Sequence, residues 1–331
     1  MNTVPVDFVE DVVGQLRKYQ FQPFEELSGY WEKVALIHAD KRREFELCII
    51  LSENKEECGF SLSYNSPLPY RDIFNLDRKY DRITEMWVCG KSACDQWFSM
   101  SDLCATVLPC VLSLAMNCNL TFDNLKHNLD EYDGFLGAFG SFPCFKSISS
   151  KDFGLESFLQ QQFQFGTVEK LVLEEYDGFL GALGSFPCFK SISTKDFGLE
   201  SFLQQQFEFG RLEKLVLEGK NWAEDFSESL RTFVRSWGFH TADIASSNLQ
   251  LDYTTIALYF ERWFYNTLKH QSTISGGISF ERCELRELYP RYCSRDTDGE
   301  LVWRKGQTAI YSSTFFVSDE PTLTFVAYNH L

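Results

Sequence analysis

Apolar positions in the middle of the chain repeat with a period of 44 residues. Residues 131–174 recur at 175–218, and the two copies differ at only five positions. Each copy contains two short runs with the apolar spacing LxxLxL, which is typical of a strand. The full form occurs at 168–173 and 212–217, and a weaker form occurs at 145–150 and 189–194. The predicted strands therefore start 21 to 23 residues apart.

Apolar residues between these strands have helical spacing. In each copy they lie at positions i, i+3, i+4 and i+8, which predicts one helix after each weaker strand. These residues are Leu155, Phe158, Leu159 and Phe163, with their copies Leu199, Phe202, Leu203 and Phe207. One strand and one helix per ~22 residues cannot bury their own apolar side, so such units must stack, and the period lies within the ~20–29 residues of leucine-rich repeats. We therefore predict an α/β solenoid with leucine-rich-repeat-like βα units. The alternative is a tandem duplication without a regular solenoid around it.

The first 40 residues are predicted to be helical. One apolar stripe follows Pro5 and includes Phe8, Val9, Val12, Val13 and Leu16. A second stripe includes Phe24, Leu27, Trp31, Val34 and Ala35, and we interpret it as one helix opened by Pro23. Gly29, inside the second stripe, weakens a helix interior.

Alternating and helical patterns continue on both sides of the duplicated block. Before it, we predict a hairpin over 44–65, a loop over 67–80, strands at 83–88 and 120–122, and an apolar helix over 103–116 that breaks at Pro109. After it, we predict a helix over 228–237 with Trp237 facing inward, a strand from 239, a helix over 256–264 and a strand over 274–280. The alternating tail predicts antiparallel strands at the C-terminal end. The predicted segments are 1–43 (helical), 44–128 (hairpin and first βα units), 129–280 (solenoid) and 281–331 (antiparallel strands).

Charge and composition narrow the classes of partner. The net charge of −16 opposes contact with a phosphate backbone, so we expect no nucleic acid. No apolar run approaches the ~20 residues of a membrane helix, and the acidic N-terminus is unlike a secretory signal. We therefore expect a cytoplasmic or nuclear protein with reduced cysteines and no bound metal. The basic run 41–43 is interpreted as a solvated helix end.

Catalytic motifs are weak throughout the sequence. The glycines at 134, 137 and 140 match neither a dinucleotide fingerprint nor a P-loop. Residues 294–305 begin like a calcium loop but have Ser294 and Lys305 where an EF-hand needs Asp and Glu. We expect no catalysis and no cofactor.

The N-terminal pattern resembles an F-box. The resemblance lies in the Val4-Pro5 opening, the first apolar stripe with its terminal Leu16, and Phe21, Phe24, Leu27-Ser28 and Trp31, in order and without a gap. More broadly, the order of segments is similar to that of the large group of F-box-like proteins expanded in nematodes. The chain departs from the family at Arg17-Lys18, where an acidic residue is usual, and at Pro23 and Gly29.

The resemblance implies a substrate-recognition adaptor of a Skp–cullin–F-box ubiquitin ligase. Its partners would be a Skp-type adaptor, the cullin ligase and an unknown protein substrate. The residues expected at the adaptor are Pro5, Phe8, Val12, Val13, Leu16, Phe24, Leu27 and Trp31. The strand residues between the inward apolar positions would face the substrate, foremost Lys170, Val172, Lys214 and Val216, together with Ser147, Ser149, Ser191 and Ser193. The alternative is a protein-interaction scaffold without a ligase link, whose N-terminal helices only cap the solenoid.

Overall fold

The chain is a mixed α/β protein whose residue contacts divide it into two compact units. The computed structural model describes residues 4–64, 66–90, 97–123, 125, 132–142, 144–151, 155–174, 189–195, 198–268, 271–297, 300–317 and 320–329. The first unit is Met1–Val168 and the second is Glu169–Leu331. This boundary falls inside the predicted segment 129–280, and the finer division into four segments stays a prediction.

Three helices open the first unit: α1 (Val6–Gly14), α2 (Gln22–Glu25) and α3 (Tyr30–Lys41). Pro5 occupies the N-cap position of α1, as its place before the apolar stripe indicates. The prediction of one continuous second helix is wrong. Gly29 has a φ of 82°, a backbone conformation that suits glycine, and it separates α2 from α3.

Six strands of the first unit precede the duplicated block. They are β1 (Arg43–Leu51), β2 (Glu57–Tyr64), β3 (Ser66–Pro67), β4 (Asp81–Cys89), β5 (Trp97–Ser99) and β6 (Ala115–Asp123). The predicted hairpin is confirmed, because β1 and β2 pair antiparallel. A parallel sheet continues from β1 through β4 and β6 to β7 (Phe145–Ser150). The predicted loop over 67–80 contains a 3₁₀ helix at Tyr70–Asn75.

The apolar stretch between β5 and β6 is shorter and less regular than predicted. Helix α4 (Met100–Asp102) leads into a π-helical segment (Leu103–Val107) and then α5 (Leu108–Leu112). Pro109 lacks an N–H and crowds the preceding turn of an α-helix, and the wider π turn just before it gives the ring room. The predicted helix end at Met116 is wrong, because Met116 belongs to β6.

Two helices flank β7 in the duplicated block. Helix α7 (Glu156–Phe165) was predicted, whereas α6 (Asp133–Gly140) was not. The three glycines of α6 lower its helix propensity and masked its apolar spacing. Residues 175–188, which include the sequence copy of residues 133–140, lie outside the described residues.

The second unit repeats the strand–helix alternation. Its first strands are β8 (Lys170–Leu173), β9 (Ser191–Thr194) and β10 (Lys214–Gly219), with α8 (Glu200–Phe209) between β9 and β10. Helix α9 (Phe226–Arg235), β11 (Thr241–Ser247), β12 (Gln250–Leu251), α10 (Tyr253–Phe264) and β13 (Gln271–Ile278) follow. The order β8–β9–β10–β11–β13 is parallel throughout. Trp237 was predicted to face inward and is instead 84% exposed, because α9 ends at Arg235 and Ser236 is extended.

The predicted antiparallel C-terminal strands are confirmed. They are β14 (Cys293–Thr297), β15 (Glu300–Lys305), β16 (Thr308–Val317) and β17 (Glu320–Asn329). Each pairs antiparallel with the next, and β17 pairs antiparallel with β13. This sheet thus changes from parallel to antiparallel at β13.

Candidate functional site

The N-terminal helices share a small apolar core of their own. Four fully or almost fully buried side chains form it, and Leu16 and Trp31 pack against it while keeping part of their surface exposed. The buried members are Val9, Val13, Phe21 and Val34. Helices α1, α2 and α3 therefore hold together as a module, which we call the helical module (residues 4–41).

An aromatic cluster lies on the surface of this module. The ring of Phe8 meets Trp31 edge to face at a centroid distance of 6.4 Å, and Phe24 lies 5.5 Å from Trp31. Phe8 is 53% exposed, and Phe24 and Trp31 are half-buried. The structure thus brings together three residues that the sequence predicted for the adaptor site from three different helices.

The other residues predicted for the adaptor site differ in how much of their side chain is exposed to a partner. Val13 is completely buried and can only support the surface from beneath. Val12, Leu16 and Leu27 are half-buried, and Pro5 is exposed at the start of α1.

Helix α3 also exposes large apolar residues that sequence reasoning missed. Leu36 is 49% exposed, and Tyr30 and Ile37 are exposed to a similar degree. Tyr30 and Ile37 are seven residues apart and therefore share one side of the helix, while Val34, Ala35 and His38 face inward. The sequence contains a signal for this exposed side. A helix that starts after Gly29, instead of at Pro23, places Tyr30 and Ile37 on one side and Val34, Ala35 and His38 on the other.

Arg17, one of the departures from the F-box pattern, fastens the helical module to the sheet of the first unit. Its guanidinium donates to the backbone oxygens of Asn117 at 2.7 Å and Thr84 at 3.2 Å, and it lies 3.5 Å from the Glu85 carboxylate. An acidic residue could not donate these bonds. Arg17 therefore has a structural role on the side of the module that meets β4 and β6.

The predicted substrate residues lie on the outward side of parallel strands. In β8 and β10, Leu171, Leu173, Leu215 and Leu217 are buried, whereas Lys170 and Lys214 are exposed and Val172 and Val216 are half-buried. Strand register aligns them in two outward rows across the sheet of the second unit. One row runs Lys170–Ser191–Lys214–Thr241, and the other runs Val172–Ser193–Val216–Asp243. Ser147 and Ser149 hold the equivalent half-buried positions in β7 of the first unit.

The first outward row contains two lysines that form no ion pair with any described residue, and paired lysines lie at both ends of the neighbouring β9. Lys190 is 2.6 Å from Glu169, and Lys195 lies 3.3 Å from Glu218 and 4.0 Å from Glu174. Lys170 and Lys214 form no ion pair within the described part of the chain. Lys170 and Lys214 belong to the same row and lie two strands apart, so their backbones are roughly 10 Å from each other.

The interpretation of the run 41–43 as a solvated helix end fits Lys41, the exposed last residue of α3, but is wrong for the two arginines. Arg42 is buried, and Arg43 donates to both oxygens of the buried Asp81 at 2.7 and 2.6 Å. Burial beside Arg82 lowers the pKa of Arg42 to about 10. A count of charges along the chain cannot show that two neighbouring arginines serve as structural ties.

Cysteine chemistry offers little to a site. The Sγ atoms of Cys48 and Cys89 lie 3.8 Å apart, a contact between parallel strands that the sequence did not indicate. Burial raises the pKa of Cys144 to about 12 and that of Cys118 well above its usual value, so both remain unreactive thiols. Among the described residues, no group of three or more His, Cys, Asp or Glu side chains could hold a metal ion.

Comparison with known proteins gives no relative from which to infer function. No protein-family model matches the chain, and no curated protein shows significant similarity to it. Across the ranges that the structure describes, no helix has both the length and the apolar character needed to cross a membrane.

Proposed function

We propose that this protein is a substrate-recognition adaptor of a Skp–cullin–F-box ubiquitin ligase. The observation that carries the proposal is the apolar surface of the helical module, centred on Phe8, Trp31 and Phe24. These side chains keep much of their area in water although the module already has a core. Exposed apolar patches of this kind mark interaction sites, and burying them at ~25 cal/mol per Å² would drive docking.

The same surface argues against a module that only caps the sheet. A cap needs an apolar inner face and a polar outer face. Arg17 meets the sheet through polar bonds, the apolar core lies within the module, and Phe8, Leu36 and Ile37 leave the outer face partly apolar. A docking role accounts for these residues, whereas capping does not.

In this proposal each unit is a stretch of leucine-rich-repeat-like solenoid. The support is the parallel order β8–β9–β10–β11–β13 in the second unit and β1–β4–β6–β7 in the first. Helices α8, α9 and α10 separate successive strands of the second unit, as stacked βα units require.

The outward rows of the second unit would hold the substrate. Lys170 and Lys214 supply positive charge in a chain whose net charge is −16, so the favoured substrate segment is acidic and extended. Val172 and Val216 offer apolar contacts in the neighbouring row.

Affinity purification from cells tests the proposal. The wild-type chain is expected to recover a Skp-type adaptor and a cullin, and Phe8→Ala is expected to lose both. Tyr19→Ala is the matched control, because Tyr19 is an exposed aromatic of the same module outside the aromatic cluster. Leu16 and Trp31 are poorer choices, since their truncation also removes contacts to the module core. Recovery of other proteins without any Skp-type adaptor would leave the scaffold alternative in place of the ligase.

A further inference from the structure

A cavity of about 390 Å³ lies between α1, α3, the start of β4 with the segment before it, and the start of β6. Its walls are formed by acidic, basic and small residues of these elements. They include Glu10, Asp11, His38, Lys79, Arg82 and Met116. All of these residues belong to the first unit. None of these residues belongs to the aromatic cluster or to the outward strand rows.

His38 presents a buried hydrogen-bond donor at this cavity. It is 1% exposed, and its Nδ1 lies 3.0 Å from Nη2 of Arg42. A guanidinium can only donate, so Nδ1 accepts and the ring hydrogen of the neutral imidazole is on Nε2. Nε2 is buried without a partner among the described residues. Burial next to Arg42 lowers the pKa of His38 to about 4, so the ring is neutral at pH 7.

Two arginines add further donors without acceptors. Arg82 lines the cavity, and its Nε is buried and unpartnered; Arg42 lies behind His38, and its Nε and Nη1 are also unpartnered. Their remaining nitrogens donate to backbone oxygens, including that of Gly14 at 3.1 Å from each. Neither arginine has a carboxylate within ion-pair distance in the described residues.

The charges of the two arginines are offset only at longer range. Glu10 is neutralised by its ion pair with Lys79, and Asp11 is exposed to solvent. Asp81 and Asp77 act electrostatically on Arg82, and Glu44 and Asp81 act on Arg42, but Asp81 already pairs with Arg43. Water could accept the orphan hydrogen bonds, whereas an anion would also offset the charges of the buried Arg42 and the half-buried Arg82.

We propose that this cavity binds a phosphate group, either free or carried by a small molecule. A phosphate oxyanion can accept hydrogen bonds from the two unpartnered N–H groups of His38 and Arg82, and its negative charge would offset that of Arg82. The volume lies within the range of small-molecule sites, so it has room for an organic substituent on the phosphate. His38 and Arg82 contact the oxyanion, and Arg42 fixes the tautomer that makes His38 a donor.

Calorimetric titration of the full chain tests the site with two probes, inorganic phosphate and glycerol 3-phosphate, at constant ionic strength. Both are expected to bind with one-to-one stoichiometry, and chloride and glycerol are expected not to bind. Tighter binding of the phosphomonoester identifies a small-molecule ligand, and tighter binding of inorganic phosphate identifies the free ion.

Variants separate the site from general charge effects. Arg82→Gln and His38→Leu are each expected to weaken phosphate binding about tenfold or more, as loss of one hydrogen bond to a charged group predicts. His38→Gln places an amide N–H near the position of Nε2 and is expected to retain most of the affinity. Lys220→Gln changes the net charge by the same amount as Arg82→Gln at an exposed residue of the second unit and is expected to have no effect. If His38→Leu does not fold, Arg82→Gln decides alone. Absence of binding to the wild type at millimolar phosphate, or equal affinity in Arg82→Gln and Lys220→Gln, would overturn the proposal.

Discussion

Helices α3 and α8 have similar lengths but treat their apolar residues differently. In α8, Phe202, Leu203 and Phe207 are buried, and apart from Phe209 at its end the exposed positions are polar. In α3, Val34 and Ala35 are buried, yet Leu36 and Ile37 are exposed. A helix that finds its packing partner within the chain uses most of its apolar surface. Part of the apolar surface of α3 is thus left unused by the fold, and the proposed function assigns it to docking. The predictions below aim to break or sharpen this difference between the two helices.

Removal of one 44-residue copy gives the largest expected contrast. Deleting 131–174 joins Asp130 to Glu175, which has the identity of Glu131. The sequence of the second copy can then supply a strand equivalent to β7 beside β6, and stability in stacked repeats is roughly a sum over neighbours. We expect a less stable protein that still unfolds cooperatively in a thermal melt.

A shorter deletion serves as the control. Removing 131–152 takes out α6 and β7 and leaves α7 to follow β6 directly, so no strand is present where β6 needs a parallel partner. We expect this variant to be insoluble or to melt without a transition. Equal behaviour of the two deletions would contradict stacked repeats.

Truncation of two adjacent residues of β10, one buried and one outward, is expected to give the next largest difference in stability. Leu215 is fully buried, and Leu215→Ala is expected to lower the free energy of unfolding by about 2–5 kcal/mol because it leaves a cavity. Val216 is half-buried on the outward row, and Val216→Ala is expected to cost about 1 kcal/mol or less. Urea denaturation of both variants measures the difference, and a reversed order would invert the assignment of inward and outward faces.

His38 makes the helical module sensitive to pH in a way that α8 is not. Its pKa is about 4 in the folded chain, lowered by burial and by Arg42, Lys79 and Arg82, while Glu10 opposes the shift. The unfolded chain, with an ordinary His pKa of about 6.5, binds the proton more readily between these values, so this contribution to stability is complete above pH 6.5 and is lost as the pH falls towards 4.

At pH 5 the titration of His38 is expected to lower the free energy of unfolding by about 2 kcal/mol relative to neutral pH. Hydrogen exchange is expected to show reduced protection in α3 but unchanged protection in α8. His38→Gln cannot titrate and is expected to remove the difference between the two pH values. Equal loss of protection in α3 of the wild type and of this variant would assign the effect to other groups.

The smallest effect on stability is expected on the exposed side of α3. Leu36→Ser and Ile37→Ser remove side chains about half of whose surface is already in water, so each should change the free energy of unfolding by less than about 1 kcal/mol. Ala35→Ser, on the buried side of the same helix, is the control and is expected to cost about 1 kcal/mol or more. A large loss in Leu36→Ser would mean that the residue serves the fold itself.

Much of the strand and helix pattern could be predicted from sequence because it depends on local periodicity. Positions such as Ile192 and Leu215 repeat at spacings that only one inward face satisfies. The misassignments arise from single backbone or tertiary events, such as the positive φ of Gly29 and the early end of α9 before Trp237. The cavity beside His38 could not be predicted, because its walls come from residues as far apart as Glu10 and Met116.

Direct binding of a purified Skp-type adaptor to the purified chain tests the central claim most directly. Isothermal titration calorimetry is expected to show a one-to-one complex for the wild type and for Tyr19→Ala. Phe8→Ala is expected to bind at least about tenfold more weakly, since it removes a central aromatic contact while the module core remains. Absence of binding by the wild type, or identical affinities for Phe8→Ala and Tyr19→Ala, would contradict the account.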